Sequence, residues 1–313
     1  MSNYFPKLVG QNAVKKKLSF YLNAFYIDAF KKTSKSPFIL MAGAKGLGKT
    51  EFAKSFAENL SNHNGSDRKF IEINCSTIKN VEHFFEQIFL PNIAGKERTI
   101  LFDECHALPQ DLTMAFLTIF NSDKSHIKNF HYDNMDIEFN FMQQTFIFAT
   151  TETDKIFAPL KDRLTMVDFE PYDQQELGEI VKLCVPEVNF TDECLIEVSK
   201  TIRSNARSAV KRSKEISLYC GSKENNNFTL DAFNDLCDHV GILPHGITYT
   251  EKQILKTLLK YGSATLTGLA AKIGLSKSAL QRDHELYLLS KNLLEIDGKR
   301  KITAFGQKLC ELL

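Results

Sequence analysis

Eight consecutive residues, Gly43-Ala44-Lys45-Gly46-Leu47-Gly48-Lys49-Thr50, satisfy every defined position of the phosphate-binding pattern G-x-x-x-x-G-K-[ST]. In such a loop Gly43, Gly46 and Gly48, with Leu47 among them, let backbone N–H groups close around phosphate oxygens. Lys49 reaches the β- and γ-phosphates and the Thr50 hydroxyl ligates Mg²⁺. Downstream, Thr99-Ile-Leu-Phe-Asp103-Glu104 is an apolar run ending in two acids. The first carboxylate suits Mg²⁺, held through water, and the second suits polarising an attacking water. The chemistry these residues can do together is hydrolysis of a nucleoside triphosphate, with ATP and Mg²⁺ as the expected ligands.

Three further side chains complete the candidate site. Thr151 follows the apolar run Phe146-Ile-Phe-Ala-Thr150, at the strand edge where open α/β sheets place ligands. It is a candidate to touch the γ-phosphate or the water, or else an ordinary helix cap. Arg163, in Pro159-Leu-Lys-Asp-Arg163-Leu, is placed to reach a neighbouring subunit's nucleotide, and Arg207 to reach the γ-phosphate of its own. For either arginine the alternative is a surface ion pair.

The flanking sequence supplies the elements that must hold these groups. Pro37 to Ala42 reads as a buried strand, and Thr50 to Leu60 as a helix with Phe52, Ala53, Phe56, Ala57 and Leu60 on one face. A strand, a glycine loop and a helix aim a positive helix N-terminus at an anion. Further strands are expected at Lys69 to Asn74, Thr99 to Asp103, Thr145 to Thr150 and Met166 to Phe169, with helical patterns at Val81 to Phe89 and Leu112 to Phe120. That alternation predicts a five-stranded parallel sheet covered on both faces. Ahead of it, Gln11 to Lys32 reads as an amphipathic helix with Val14, Leu18, Leu22, Phe25, Ala29 and Phe30 on one side.

After Pro171 the strand signals stop. Helices are expected at Gln174 to Leu183, Thr191 to Ile202, Ala206 to Tyr219 and Leu230 to Val240, forming a small all-α lid. Beyond a linker at Gly241 to Gly246, helices at Glu251 to Lys260, Leu266 to Ile273 and Lys277 to Ser290 precede two short strands around Asp297-Gly298. Three helices and a hairpin predict a winged helix, with Ser276 capping the presumed recognition helix. The expected organisation is an α/β ATPase core at 1–171, a lid at 172–242 and a winged-helix domain at 243–313.

Charge separates these parts. The net charge is +1, yet residues 246–313 hold eleven Lys and Arg against six Asp and Glu. Lys299, Arg300 and Lys301 sit at the hairpin tip, a pattern suited to phosphate contacts on DNA without base reading. The seven cysteines are scattered with no Cys-x-x-Cys spacing, which reads as reduced thiols of a cytoplasmic protein. No secretory signal and no run long enough for a membrane span is read.

Taken in order, Gly10-Gln11, Gly46-Leu-Gly-Lys-Thr50, Leu101-Phe-Asp-Glu104 with His106, Ala149-Thr-Thr151, Pro159-Leu-Lys-Asp-Arg163, an arginine-bearing lid helix and a C-terminal winged helix resemble the RuvB family of AAA+ motors, which drive Holliday-junction branch migration. The resemblance implies that Lys49 and Thr50 hold phosphates and Mg²⁺ and that Asp103 and Glu104 are the Walker B pair. It makes Thr151 sensor 1, Arg163 a trans-acting finger and Arg207 sensor 2. It further implies a homo-oligomeric ring, a hexamer, around duplex or four-way-junction DNA, loaded by a RuvA-like junction-binding partner. The chain departs from the family pattern at Ala44-Lys45, at Lys161, at Asn205-Ala-Arg207, and over Ser122 to Gln144, where the family carries its partner-binding hairpin. Two readings compete: a clamp-loader or Orc/Cdc6-like ATPase using ATP as an assembly switch, and a nucleotide switch whose tail binds protein.

Overall fold

A computed structural model describes residues 4–29, 36–60, 65–121 and 126–313. By their contacts the chain forms two compact units, Met1–Tyr172 with Asn205–Arg207, and Asp173–Ser204 with Ser208–Leu313. The segments expected as lid and winged helix fall together in the second.

The first unit is built on β1 (Ile39–Ala42), β2 (Lys69–Asn74), β3 (Arg98–Asp103), β6 (Gln144–Thr150) and β7 (Thr165–Asp168), all parallel in the order β2-β3-β6-β1-β7. The central strands β1 and β6 are buried at every position, because both sheet faces are covered and no alternation survives. Phenylalanine fills much of the core: Phe102 of β3 stacks on Phe148 of β6 with centroids 5.0 Å apart, and Phe84, Phe116 and Phe120 close over them. The N-terminal helix spans Asn12–Ala29 and buries Val14, Leu18, Leu22 and Phe25. Phe30, expected on the same face, lies outside the described residues.

Several elements differ from the sequence expectation. Between β3 and β6 runs an antiparallel hairpin, β4 (Ile127–Tyr132) and β5 (Met135–Asn140), for which no strands were expected. Ile137 and Phe139 of β5 are buried between outward acids, and Phe130 and Tyr132 of β4 pack on Phe85. Val81–His83 continues without a break into a π-helical turn at Phe84–Phe89. The wider turn lets Phe84, Phe85 and Phe89 all point into the core, which α spacing would splay apart. In the second unit the strands do not stop at Pro171: β8 (Asn189–Phe190) and β9 (Asn227–Phe228) make a short parallel pair between helices.

The second unit otherwise follows the expected helices. Asp173 opens Gln174–Cys184 with a capping box to Glu176, and Thr191 and Thr229 cap Asp192–Lys200 and Leu230–Val240. Further on, Tyr249–Tyr261, Leu266–Ile273 and the helical run 277–290 pack around Ile254, Leu255, Leu258, Leu269 and Leu288. Ser276 caps the last of these by accepting from the Ala279 N–H at 3.2 Å. The antiparallel sheet has a third strand beyond the hairpin, β10 (Ser263–Ala264) against β12 (Lys299–Ile302), with β11 (Leu294–Asp297) outside. A C-terminal helix, Ala304–Leu312, was not expected. Three helices with a three-stranded sheet are a winged-helix arrangement.

Two helical glycines give opposite expectations. At exposed Gly221 an added Cβ meets nothing within 4 Å, so Gly221→Ala should raise stability by about 0.5–1 kcal/mol through helix propensity alone. At Gly306 the same atom would lie 2.3 Å from the Leu293 carbonyl oxygen. Gly306→Ala should therefore destabilise despite equal propensity gain, as urea unfolding of each variant would measure.

Candidate nucleotide site

The loop between β1 and the Lys49–Glu58 helix is shaped by backbone that other residues resist. Gly46 has φ +82°, and a Cβ there would stand 2.9 Å from Asn205 Oδ1; a Cβ on Gly43 would meet the Phe169 backbone oxygen at the same distance. Tyr172, buried after β7, donates its hydroxyl to the Leu47 carbonyl at 3.0 Å and fixes the loop from behind. Gln11 clamps the neighbouring segment, donating to the Glu170 carbonyl and accepting from the Glu170 N–H.

Lys49 is only 8% exposed. Its Nζ donates to the carbonyls of Gly43 at 2.7 Å and Ala44 at 3.0 Å, spanning its own loop. Burial lowers its pKa, opposed by the nearby Glu104 and Asp103 carboxylates and reinforced by Arg207. A buried ammonium held by carbonyls, beside glycines that leave room for no side chain, fits a phosphate group.

The acids sit at the C-terminal edge of the sheet. Asp103 ends β3 and its Oδ1 accepts from the Glu104 N–H at 3.0 Å. Glu104 takes the left-handed conformation, φ 52°, which costs a non-glycine residue about 1–3 kcal/mol and marks sites where geometry outranks stability. Thr151, just past the adjacent strand β6, donates to Glu104 Oε2 at 3.3 Å. His106 lies 3.4 Å from the same oxygen, 3.0 Å from Thr150 Oγ1 through Nδ1, and 3.0 Å from Glu152 through Nε2. Cys105 is chemically quiet, since burial pushes its thiol up to about 12.

The arginines divide. The backbone N–H of Arg207 donates to the Gly46 carbonyl at 3.2 Å, so the residue joins the loop although its helix belongs elsewhere. Arg163 instead turns its guanidinium onto its own chain, Nε to the Leu117 carbonyl at 3.1 Å and Nη1 to that of Pro159 at 2.6 Å. Thus Lys49, Asp103, Glu104, Thr151 and Arg207 come together around the loop and the two strand ends, with Thr50 in the first helical turn, whereas Arg163 caps a helix end. Sequence reasoning passed over Tyr172 and Glu152, for which no local pattern exists. For Gln11 and His106 the sequence offers a motif position but no role; their contacts exist only in the fold.

Strand alternation also divides the three basic residues of the wing. Arg300 turns inward and makes a two-point contact with buried Glu285 at 2.7 and 3.2 Å. Lys299 is exposed, with no ion-pair partner among the described residues, and Lys301 pairs with Asp297 at 3.0 Å. Three consecutive cations on a strand cannot share one face.

Residues 39–172 match the family described as "ATPase family associated with various cellular activities (AAA)". A Holliday junction branch migration complex subunit RuvB from Campylobacter fetus is 26% identical over 96% of this chain and 85% of its own. The protein of that name from Fervidobacterium nodosum is 23% identical over 96% and 84%. Among solved structures, a point mutant of Thermotoga maritima RuvB matches with TM-score 0.75 at 24% identity, covering 98% of each chain. A structure described as the Thermotoga maritima RuvB Holliday junction branch migration motor matches at 0.73 and 22%, covering 99% of each. The structural likeness establishes the fold.

The buried ammonium has a stability signature. Because burial lowers the Lys49 pKa below its ordinary 10.5, the unfolded chain holds that proton more tightly than the folded one. The penalty is complete below the lowered folded value and disappears as pH rises to 10.5. Wild type should therefore gain stability relative to Lys49→Met as pH is raised from neutrality, as paired unfolding curves would record. A difference independent of pH would contradict the burial of the charge.

Proposed function

We propose that this chain, a RuvB-type AAA+ ATPase, is an ATP-driven motor that moves Holliday junctions, working in the cytoplasm as a hexameric ring around DNA. The observation that carries the ATPase reading is the placement of Glu104, held in a left-handed turn at the end of β3, restrained by Thr151, and close enough to Lys49 to oppose its loss of charge. The loader or initiator reading has no comparable support, since the likeness to RuvB runs through the C-terminal residues as well as the ATPase module.

In this reading Lys49 and the backbone N–H groups of residues 46–48 hold the β- and γ-phosphates of ATP, and Thr50 with Asp103 holds Mg²⁺. The metal, when bound, neutralises charge on the phosphoryl oxygens. Glu104 orients the attacking water and accepts its proton. Thr151 acts as sensor 1: its bond to Oε2 fixes the carboxylate, leaving Oε1 for the water. Arg207 reports the γ-phosphate within the subunit, a role favoured by its backbone contact to Gly46. Arg163 acts across the subunit boundary once it releases the Leu117 and Pro159 carbonyls. Hydrogen bonds from the charged guanidinium to these carbonyls are worth about 1.5–3 kcal/mol each, and two-point contact with a phosphate is the stronger, doubly charge-assisted alternative.

On the wing, Lys299 and Lys301 are the phosphate contacts, while Arg300 holds the hairpin to the recognition helix through Glu285. The β4–β5 hairpin, which exposes Ile127 and Met135, is the surface for a RuvA-like junction-binding partner.

Glu104→Gln should retain ATP binding and lose turnover, whereas Lys49→Ala should lose binding; equal ATP affinity in Lys49→Ala and wild type would remove the assignment. Arg163→Ala should lose about 10³-fold or more in rate and recover part of it when mixed with Lys49→Ala subunits. Absence of recovery in verified mixed rings would exclude action in trans. Replacing Lys299 and Lys301 with Ala should weaken binding to all duplex sequences alike and lower the log–log salt slope by about 0.9 per lost contact. Arg300→Ala should instead lower the unfolding temperature, because it strands the buried Glu285 carboxylate.

A further inference from the structure

Outside the nucleotide site, Arg203 and His284 gather around Glu251, a carboxylate with 0% exposure. It occupies the N3 position of Tyr249–Tyr261, where its Oε2 accepts from the Thr248 N–H at 2.8 Å in a capping box. A capping-box acid ordinarily lies at the surface and needs nothing more. Here Oε2 also accepts from Arg203 at 2.5 Å, and His284 of the recognition helix stands 3.2 Å from Oε1.

Arg203 has two further contacts, one of them to a ring that is itself held. Its guanidinium lies 4.0 Å over the Tyr287 ring, its Nε donates to the Gly246 carbonyl at 3.3 Å, and Tyr287 donates to the His245 carbonyl at 2.5 Å. Gly246 itself fits only because it lacks a side chain, since a Cβ would meet the Thr201 carbonyl at 2.4 Å. The chain around residue 203, the linker at 245–246 and two helices of the winged helix therefore close on one ion pair, its carboxylate fully buried and its guanidinium partly so. An isolated buried pair gains little stability over apolar residues of the same size, so stability alone does not account for it.

Its position along the chain does. Arg203 lies four residues before Arg207, and the intervening Asn205 is set against Gly46 of the phosphate loop. We propose that the Arg203–Glu251 ion pair is a latch that makes the winged helix move with residues 203–207, so that nucleotide state at the loop and DNA on the recognition helix act on each other through it. The inference rests on the motor reading above. Arg203 is held at three points, Arg207 is bonded to the loop, and only three residues lie between them, so a displacement of either end is passed along a short length of chain. His284 connects the same carboxylate to the helix that would face DNA. Arg203 and Glu251 are positioning residues, and neither belongs to the ATP or DNA contacts.

The test is DNA stimulation of ATP turnover in the full-length chain. Arg203→Met alone would leave the carboxylate buried without its cation and lower stability, so the informative variant is Arg203→Met with Glu251→Leu, which removes both charges together. The double variant should keep its fold, its basal ATP turnover and its affinity for duplex DNA, and should lose about fivefold or more of the stimulation by DNA, the lower range of allosteric coupling. Full stimulation in a folded double variant overturns the latch. If the double variant fails to fold, Arg203→Lys, which keeps the charge but loses the fork and the ring contact, should show reduced stimulation, and undiminished stimulation there overturns the proposal equally. Wild type without any stimulation by DNA would sink the motor reading instead, a result that none of the latch variants can produce.

Discussion

Lys49 carries a positive charge where water barely reaches, and the surrounding backbone is arranged to make that tolerable. A buried ammonium without partners would lose its proton or unfold its surroundings. Here two loop carbonyls accept from it and two carboxylates stand within electrostatic reach. The glycine conformations, the Tyr172 hydroxyl behind the loop and the strained Glu104 turn all serve to keep those groups in place. An anion arriving at the loop would meet a cation already stripped of solvent, which is the condition under which a charge-assisted contact is strong.

The rigidity needed for this comes from the sheet. β6 is buried along its full length and β3 at all but its two ends, which fixes the edge where Asp103 and Thr150 end, and the phenylalanine cluster behind β3 and β6 leaves little freedom for one strand to slide against the other. Thr151 can restrain Glu104 because β3 and β6 are neighbours in the sheet, although 47 residues separate the two side chains in the chain. Strain at Glu104 is affordable only on such a support.

The second unit manages its buried charges differently. Glu251 and Glu285 are both carboxylates inside a small helical core, each with an arginine supplied from outside its own helix. Two apolar pairs would serve stability as well. What ion pairs add is direction: a planar guanidinium accepts one orientation of its partner, so the linker and the wing are each held in one register against the helices they cross.

The glycine loop after β1, the two acids at the end of β3, the five parallel strands and most helices were legible in the sequence, because each is set by a local rule: glycine spacing, continuous apolar runs, or apolar recurrence at helical spacing. The β4–β5 hairpin was not, since β4 is half polar with Ile127 on the face opposite Phe130 and Tyr132, and only Ile137 and Phe139 of the pair are fully buried. The C-terminal helix and the β8–β9 pair were missed because short elements depend on what they pack against. The same limit governed the side chains. Sequence by itself placed Lys49, Asp103, Glu104 and Thr151 at strand and loop ends, and so determined the chemistry available. Only the tertiary structure decided that Arg163 rests on its own helix ends, that Arg300 turns inward to Glu285, and that Arg203 reaches Glu251. A charged side chain's partner is chosen by where distant strands and helices bring carbonyls and carboxylates, and no local pattern records that.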